Sequence, residues 1–136
     1  MMKGNLNEYI LTAGLLLLFM AIAHGVYGET VVFNDLKFIG FDRALYATIY
    51  LPWHQMSFVL LVSAVGLIIS SVKKESKSIQ WFVLFITIGN VLMFIISIIK
   101  STGNGLFLLA WPQFLFFLIL ALLIILGLRK SRGNTD

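Results

Sequence analysis

Long apolar runs separated by short polar stretches organise this chain. Four runs stand out: Tyr9 to Tyr27, Tyr46 to Val72, Trp81 to Ile99 and Leu106 to Leu128. Apolar residues occupy every face of them, without the alternation of a half-buried strand, so each is predicted to be a helix. A helix rising about 1.5 Å per residue needs about 20 residues to cross about 30 Å of hydrocarbon, and each run is near or above that length. In lipid the backbone polar groups need partners within the same segment, which helices provide. The first run is read as a retained span, because it is longer than the apolar part of a secretory signal and lacks a clear small-x-small cleavage site.

The polar stretches complete the topology. KKESKSIQ after the second run and STGNGL after the third suit tight helical hairpins. Residues 28–45, GETVVFNDLKFIGFDRAL, form a longer outer loop that mixes apolar and charged residues. That mixture predicts a segment lying in the membrane interface or folding over the bundle mouth, with a short helix starting near Asn34 and Asp35. The expected fold class is all-α: an integral membrane, antiparallel four-helix bundle forming one domain over residues 1–136.

Charge sets the orientation. Lys3, Lys73, Lys74, Lys77, Arg129, Lys130 and Arg132 fall on one side of four crossings, and only Lys37, Arg43 and Lys100 on the other. Basic residues favour the cytoplasm, so N and C termini are expected to be cytoplasmic, in a plasma membrane of the bacterial type. Composition agrees: of 136 residues, 60% are hydrophobic and 12% charged, about half the charge of an ordinary soluble domain. The mean hydropathy is +0.97. The net charge of +4 comes from basic runs flanking apolar segments, which gives an orientation signal and not a nucleic-acid stripe. With no cysteine, thiolate metal sites, thiol nucleophiles and disulfides are excluded.

Ionisable groups inside a membrane are costly, so those present mark candidate sites. His24 lies near the outer end of the first span, His54 in the outer part of the second, and Glu29 opens the outer loop. Trp53, Gln55, Trp111 and Gln113 are expected to surround them. Five polar side chains (His24, Glu29, His54, Gln55 and Gln113) thus gather toward one leaflet. His24 and Glu29 stand about 140° apart on an ideal helix and converge only where the helix ends or unwinds, for which Gly25 and Gly28 offer a place.

Several chemistries fit this set. Two imidazoles and a carboxylate, His24, His54 and Glu29, suit a transition metal such as zinc, iron, copper or nickel. A b-type haem held between His24 and His54, proton or substrate handling by the pair, and purely structural hydrogen bonding are the alternatives. For an enzyme, Ser57 follows His54 without any recognisable nucleophile motif, so the reading leans away from catalysis. A transporter would have to dimerise, and none of the spans carries a deeply embedded carboxylate. An accessory or scaffold subunit, or a homo-oligomer, is equally compatible. Elsewhere, Gly89-Asn90 is expected to make a close helix contact, with Asn90 bonded across it. Pro52 and Pro112 place irregular backbone on the outer side.

The stretch His24-Gly25-Val26-Tyr27-Gly28-Glu29 followed by the pair Trp53-His54 resembles a group of small bacterial four-span membrane proteins. They carry a His-x-x-x-Gly-Glu stretch before a loop and a Trp-His pair in the second span. The likeness covers about the first half of the chain. It implies a shared site at His24, Glu29 and His54 without specifying its ligand.

Overall fold

The computed structural model describes residues 6–40, 42–73, 77–100 and 106–133; the side chains of 106–111 and 132–133 lie outside the described set. The described chain is helical throughout apart from turns. Its elements are α1 (Glu8–Tyr27), a single π-helical turn (Gly28–Val32), α2 (Phe33–Phe38), α3 (Arg43–Val72), α4 (Lys77–Lys100) and α5 (Leu106–Gly133). Four helical runs are long and apolar enough to cross a bilayer: Glu8–Phe38, Arg43–Val72, Lys77–Lys100 and Pro112–Ser131, with best-window mean hydropathies of 2.0, 2.0, 2.7 and 2.3. By length and composition this is a multi-pass membrane protein.

The expected loop over residues 28–45 is corrected. The first helix does not stop at Tyr27 but widens for one turn and continues to Phe38. Glycine ends it: Gly40 adopts φ 70°, a backbone conformation open to a residue without Cβ. The short helix expected near Asn34 and Asp35 is α2, which starts at Phe33; Asp42 then caps the next helix, its carboxylate accepting from the Ala44 and Leu45 amides. Glu8–Phe38 contains 31 residues, which at about 1.5 Å each reach beyond the hydrocarbon thickness of about 30 Å.

Packing is most extensive between α1 and α3, then between α4 and α5, with α1 also against α5 and α3 against α4. Ile10, Ala13, Leu17 and Ala21 form one face of α1 and meet Leu60, Ala64 and Leu67 of α3 in the core. Small residues let these two backbones approach: a methyl at Gly14 would lie 3.0 Å from the Ile68 nitrogen and 3.2 Å from the Ala64 carbonyl oxygen. Large apolar side chains point outward instead, Phe19 being 71% exposed and Phe85 66%. Such a surface suits acyl chains or partner helices, not water.

One end of the bundle is tied by Asn7, which is 92% covered. Its main-chain N–H donates to the Ser71 carbonyl at 2.9 Å, joining the start of α1 to the end of α3. Its side-chain nitrogen donates to the Gly127 carbonyl at 2.8 Å and to Ser131 Oγ at 3.0 Å, joining α5. Its Oδ1 accepts the Ile10 amide at 3.3 Å and so caps α1. Nearby, Glu8 pairs with Lys130 at 2.8 Å, and Gln80 of α4 reaches Ser70 at 3.5 Å. Asn7→Ala is therefore expected to cost about 1–3 kcal/mol, because it uncaps the first turn of α1 and removes both side-chain bonds to α5. Asn7→Asp keeps the cap but loses the donors and should recover only part. Reversible unfolding in detergent measures both, and an Asn7→Ala variant as stable as the native chain would contradict the tie.

Candidate functional site

At the other end α1 and α3 are held together by a ladder of polar contacts. Tyr50, Trp53, His54 and Ser57 follow the i, i+3, i+4, i+7 spacing that places side chains on one face of a helix. That face looks at α1. The Trp53 indole N–H donates to the His24 carbonyl at 3.0 Å. His24 Nδ1 lies 2.8 Å from Ser57 Oγ. Tyr50 donates its hydroxyl to Glu29 Oε1 at 2.7 Å, and His54 Nε2 sits 3.1 Å from the same oxygen. The last contact is not aligned as a hydrogen bond although Nε2 is covered.

The π turn makes this ladder possible. The Phe33 N–H bonds to the Gly28 carbonyl, five residues back, so Phe33 stands above Gly28 where regular α-spacing would put Val32. Phe33 is consequently fully buried. Its ring contacts Tyr46, Tyr50, Trp53 and His54, with centroid separations of 5.6, 4.8, 5.8 and 5.6 Å. Gly28 is needed below it, because a Cβ there would overlap the Trp53 indole. The expected unwinding near Gly25 and Gly28 thus occurs, as one widened turn and not as a helix end.

The structure divides the three predicted ligands into two groups. Glu29 meets His54 and Tyr50, whereas His24 meets Ser57 and stacks on Trp53 with centroids 4.3 Å apart. Among the described residues no group of three or more His, Cys, Asp or Glu side chains could hold a metal ion. The expected metal set of His24, His54 and Glu29 is therefore not assembled. His24 lines the cavity described below, and His54 is not among that cavity's lining residues.

That cavity, about 410 Å³, lies between α1, α3, α4 and α5 in the half of the bundle away from Asn7. Its polar groups are His24, Tyr27, Asn90 and Gln113; Met20, Met56, Leu60, Phe94, Phe117 and Trp53 supply most of its apolar wall. Of the expected surround, Trp53 and Gln113 are present, Gln55 is exposed and not among the lining residues, and the Trp111 side chain lies outside the described residues. Asn90 is corrected too: it donates to the Ile86 carbonyl of its own helix at 2.9 Å, and nothing lies within 4 Å of where a Gly89 Cβ would be. No close helix contact forms there. Sequence reasoning missed Tyr50, Phe33 and the role of Ser57, although the spacing of Tyr50, Trp53, His54 and Ser57 was visible as a stripe.

Ser57 Oγ lies between the Trp53 carbonyl at 3.2 Å and His24 Nδ1 at 2.8 Å, and which of them takes its single hydrogen depends on the His24 tautomer. His24 Nε2 has no hydrogen-bond partner among the described residues.

Comparison with known proteins found no matching family model, no similar curated protein and no similar solved structure.

The overlap at Gly28 yields a test of the ladder. Gly28→Ala should be strongly destabilising with Trp53 present and much less so in a Trp53→Phe background, which clears the space. A double-mutant cycle read by detergent unfolding is expected to give a coupling of about 1–3 kcal/mol. Additive effects would mean that the two residues do not meet.

Proposed function

We propose that this protein is a membrane-embedded binding protein that takes a small amphipathic molecule from the lipid into the cavity beside His24. The single observation supporting this is the cavity itself. At about 410 Å³, mostly apolar and with His24, Tyr27, Asn90 and Gln113 as its polar side chains, it has the size and character of a small-molecule site. The opposite half of the bundle is close-packed around Ile10, Leu67 and Ile124, each 0% exposed. A smaller void of about 220 Å³ lies in that half, beside Trp81, Ile125, Leu128 and Arg129, and carries no polar side chain besides Arg129 and the Trp81 indole.

On this reading the four helices form an antiparallel bundle with both termini cytoplasmic. The contacts of Asn7 with Ser71 and Gly127 support it, since they gather the start of α1 and the ends of α3 and α5. Lys73, Arg129 and Lys130 then flank one end, and the positive-inside rule makes that end cytoplasmic. The cavity opens in the outer half of a plasma membrane. Glu29, His54 and Tyr50 act as the clasp that shapes its rim, and the His-x-x-x-Gly-Glu and Trp-His motifs are parts of that clasp.

The test is occupancy. Protein excised with its native lipids and released in a mass spectrometer should retain a small molecule at about one per chain. Ala23→Phe, which places a ring in the cavity, should reduce that retention about tenfold or more, equivalent to about 1.4 kcal/mol. Helicity and melting of the variant serve as the folding control. A folded native chain that retains nothing, or retains the same molecule after Ala23→Phe, would leave an accessory or scaffold subunit as the better reading.

A further inference from the structure

The smaller void, about 220 Å³, lies where the start of α4 meets the end of α5, in the half of the bundle tied by Asn7. Its walls are Trp81, Ile125, Leu128 and Arg129. Two side-chain stripes begin at it and run toward the middle of the helices. On α4, Lys77, Trp81 and Phe85 are spaced four apart on one face; on α5, Arg129, Ile125 and Leu122 follow the equivalent spacing in the opposite chain direction. Phe85 and Leu122 are exposed, and α4 and α5 are packed neighbours. The void is thus the head of an apolar groove open to lipid.

The charges at its mouth are not used within the chain. Lys130, next to Arg129, pairs with Glu8 at 2.8 Å and lies over the Tyr9 ring. Arg129 is exposed and has no ion pair or hydrogen bond among the described residues. A long basic side chain that lines an apolar space at the end of a membrane helix carries its charged head into the headgroup layer. Lys77 stands one helical turn beyond Trp81 on the same face, which brings a second cation to that level. A planar guanidinium matches a phosphate with two parallel hydrogen bonds, which an ammonium cannot do. Headgroup anion and hydrocarbon are therefore called for in one molecule. A free anion would leave the groove bare, and a zwitterionic lipid would bring a cation of its own against Arg129 and Lys77.

We propose that the groove between α4 and α5 binds one anionic phospholipid, its phosphate on Arg129 with Lys77 adding charge, and one acyl chain starting in the void and continuing past Phe85 and Leu122. Basic pockets between membrane helices take acidic headgroups in this manner. The site is separate from the cavity beside His24, and only the naming of its leaflet as cytoplasmic rests on the orientation proposed above.

The experiment titrates the full chain in detergent with dioleoyl phosphatidylglycerol or dioleoyl phosphatidylcholine and counts bound lipid by native mass spectrometry; detergent exposes both ends, so the leaflet does not enter. The phosphatidylglycerol is expected to saturate at about one per chain and to bind about tenfold or more tighter than the phosphatidylcholine. Arg129→Gln should weaken the anionic lipid about fivefold or more, and Arg129→Lys by less, since the charge stays while the fork is lost. Lys73→Gln removes a cation from the same end but not from the walls of the void, and should change binding by less than about twofold. Ile125→Trp fills the void without altering charge and should also weaken the anionic lipid. Melting temperatures establish that each variant is folded. Equal losses in Arg129→Gln and Lys73→Gln would overturn the site in favour of diffuse surface charge. Equal binding of the two lipids would overturn the anionic headgroup, and displacement by an equal concentration of glycerol 3-phosphate would overturn the need for a lipid. Unaltered binding in a folded Ile125→Trp variant would overturn the placement of the acyl chain.

Discussion

The hydrogen bond from the Trp53 indole to the His24 carbonyl governs the arrangement of the functional half of this molecule. It draws α3 close enough to α1 that only glycine fits at position 28. It also sets the Trp53 ring flat against the His24 imidazole, at an interplanar angle of 16°. With the imidazole so fixed, Nδ1 meets Ser57 and Nε2 is left for something else. The same proximity lets the widened turn above Gly28 seat Phe33 among four aromatic rings. In hydrocarbon, polar groups gain most from partners that are already in place, and here nearly every partner comes from the same pair of helices.

The two ends of that pair are held by different means. Around Asn7 the tie is made by one amide that serves α1, α3 and α5 at once, with small residues packing the helices closely behind it. Around Glu29 the tie is a row of large rings bridged by a carboxylate that is itself nearly half exposed. The larger cavity lies on the side of this tie that faces α4 and α5, where Asn90, Phe94, Gln113 and Phe117 close it.

Much of this architecture was legible in the sequence, because composition and length alone identify membrane-length helices. Four membrane-length runs emerge, the first of them carried on past its expected end at Tyr27 to Phe38. The stretch 28–45 was misjudged for a definite reason: Glu29, Asp35 and Lys37 look like loop residues, yet a helix that emerges from the hydrocarbon can carry them at no cost. His24, His54 and Glu29 were singled out as polar groups needing partners; His24 meets Ser57 and Glu29 meets Tyr50, whereas His54 Nε2 lies beside Glu29 without an aligned hydrogen bond. What could not be read was how they pair. A single extra residue in the Gly28–Val32 turn changes which side chains face α3, and no pattern of residue types announces such a turn. Asn7 was invisible for the opposite reason, since an asparagine before a helix is common and its partners lie more than a hundred positions away.

The widened turn in the first helix behaves as a rotary adjuster. Below it, residues Ile10 to His24 keep the regular helical pitch against α3; above it, the stripe is advanced by one position so that Phe33 and not Val32 faces inward. An α-helix turns about 100° per residue, so the deletion of any one residue from this turn would swing everything beyond it by about a quarter of a revolution. The clasp residue Glu29 and the plug residue Phe33 would then fall out of phase with each other, although neither had been altered. Length between Gly28 and Phe33 is consequently under tighter constraint than the identity of Thr30, Val31 or Val32, and the spacing of this stretch is a more dependable mark of the same device in other chains than its letters are.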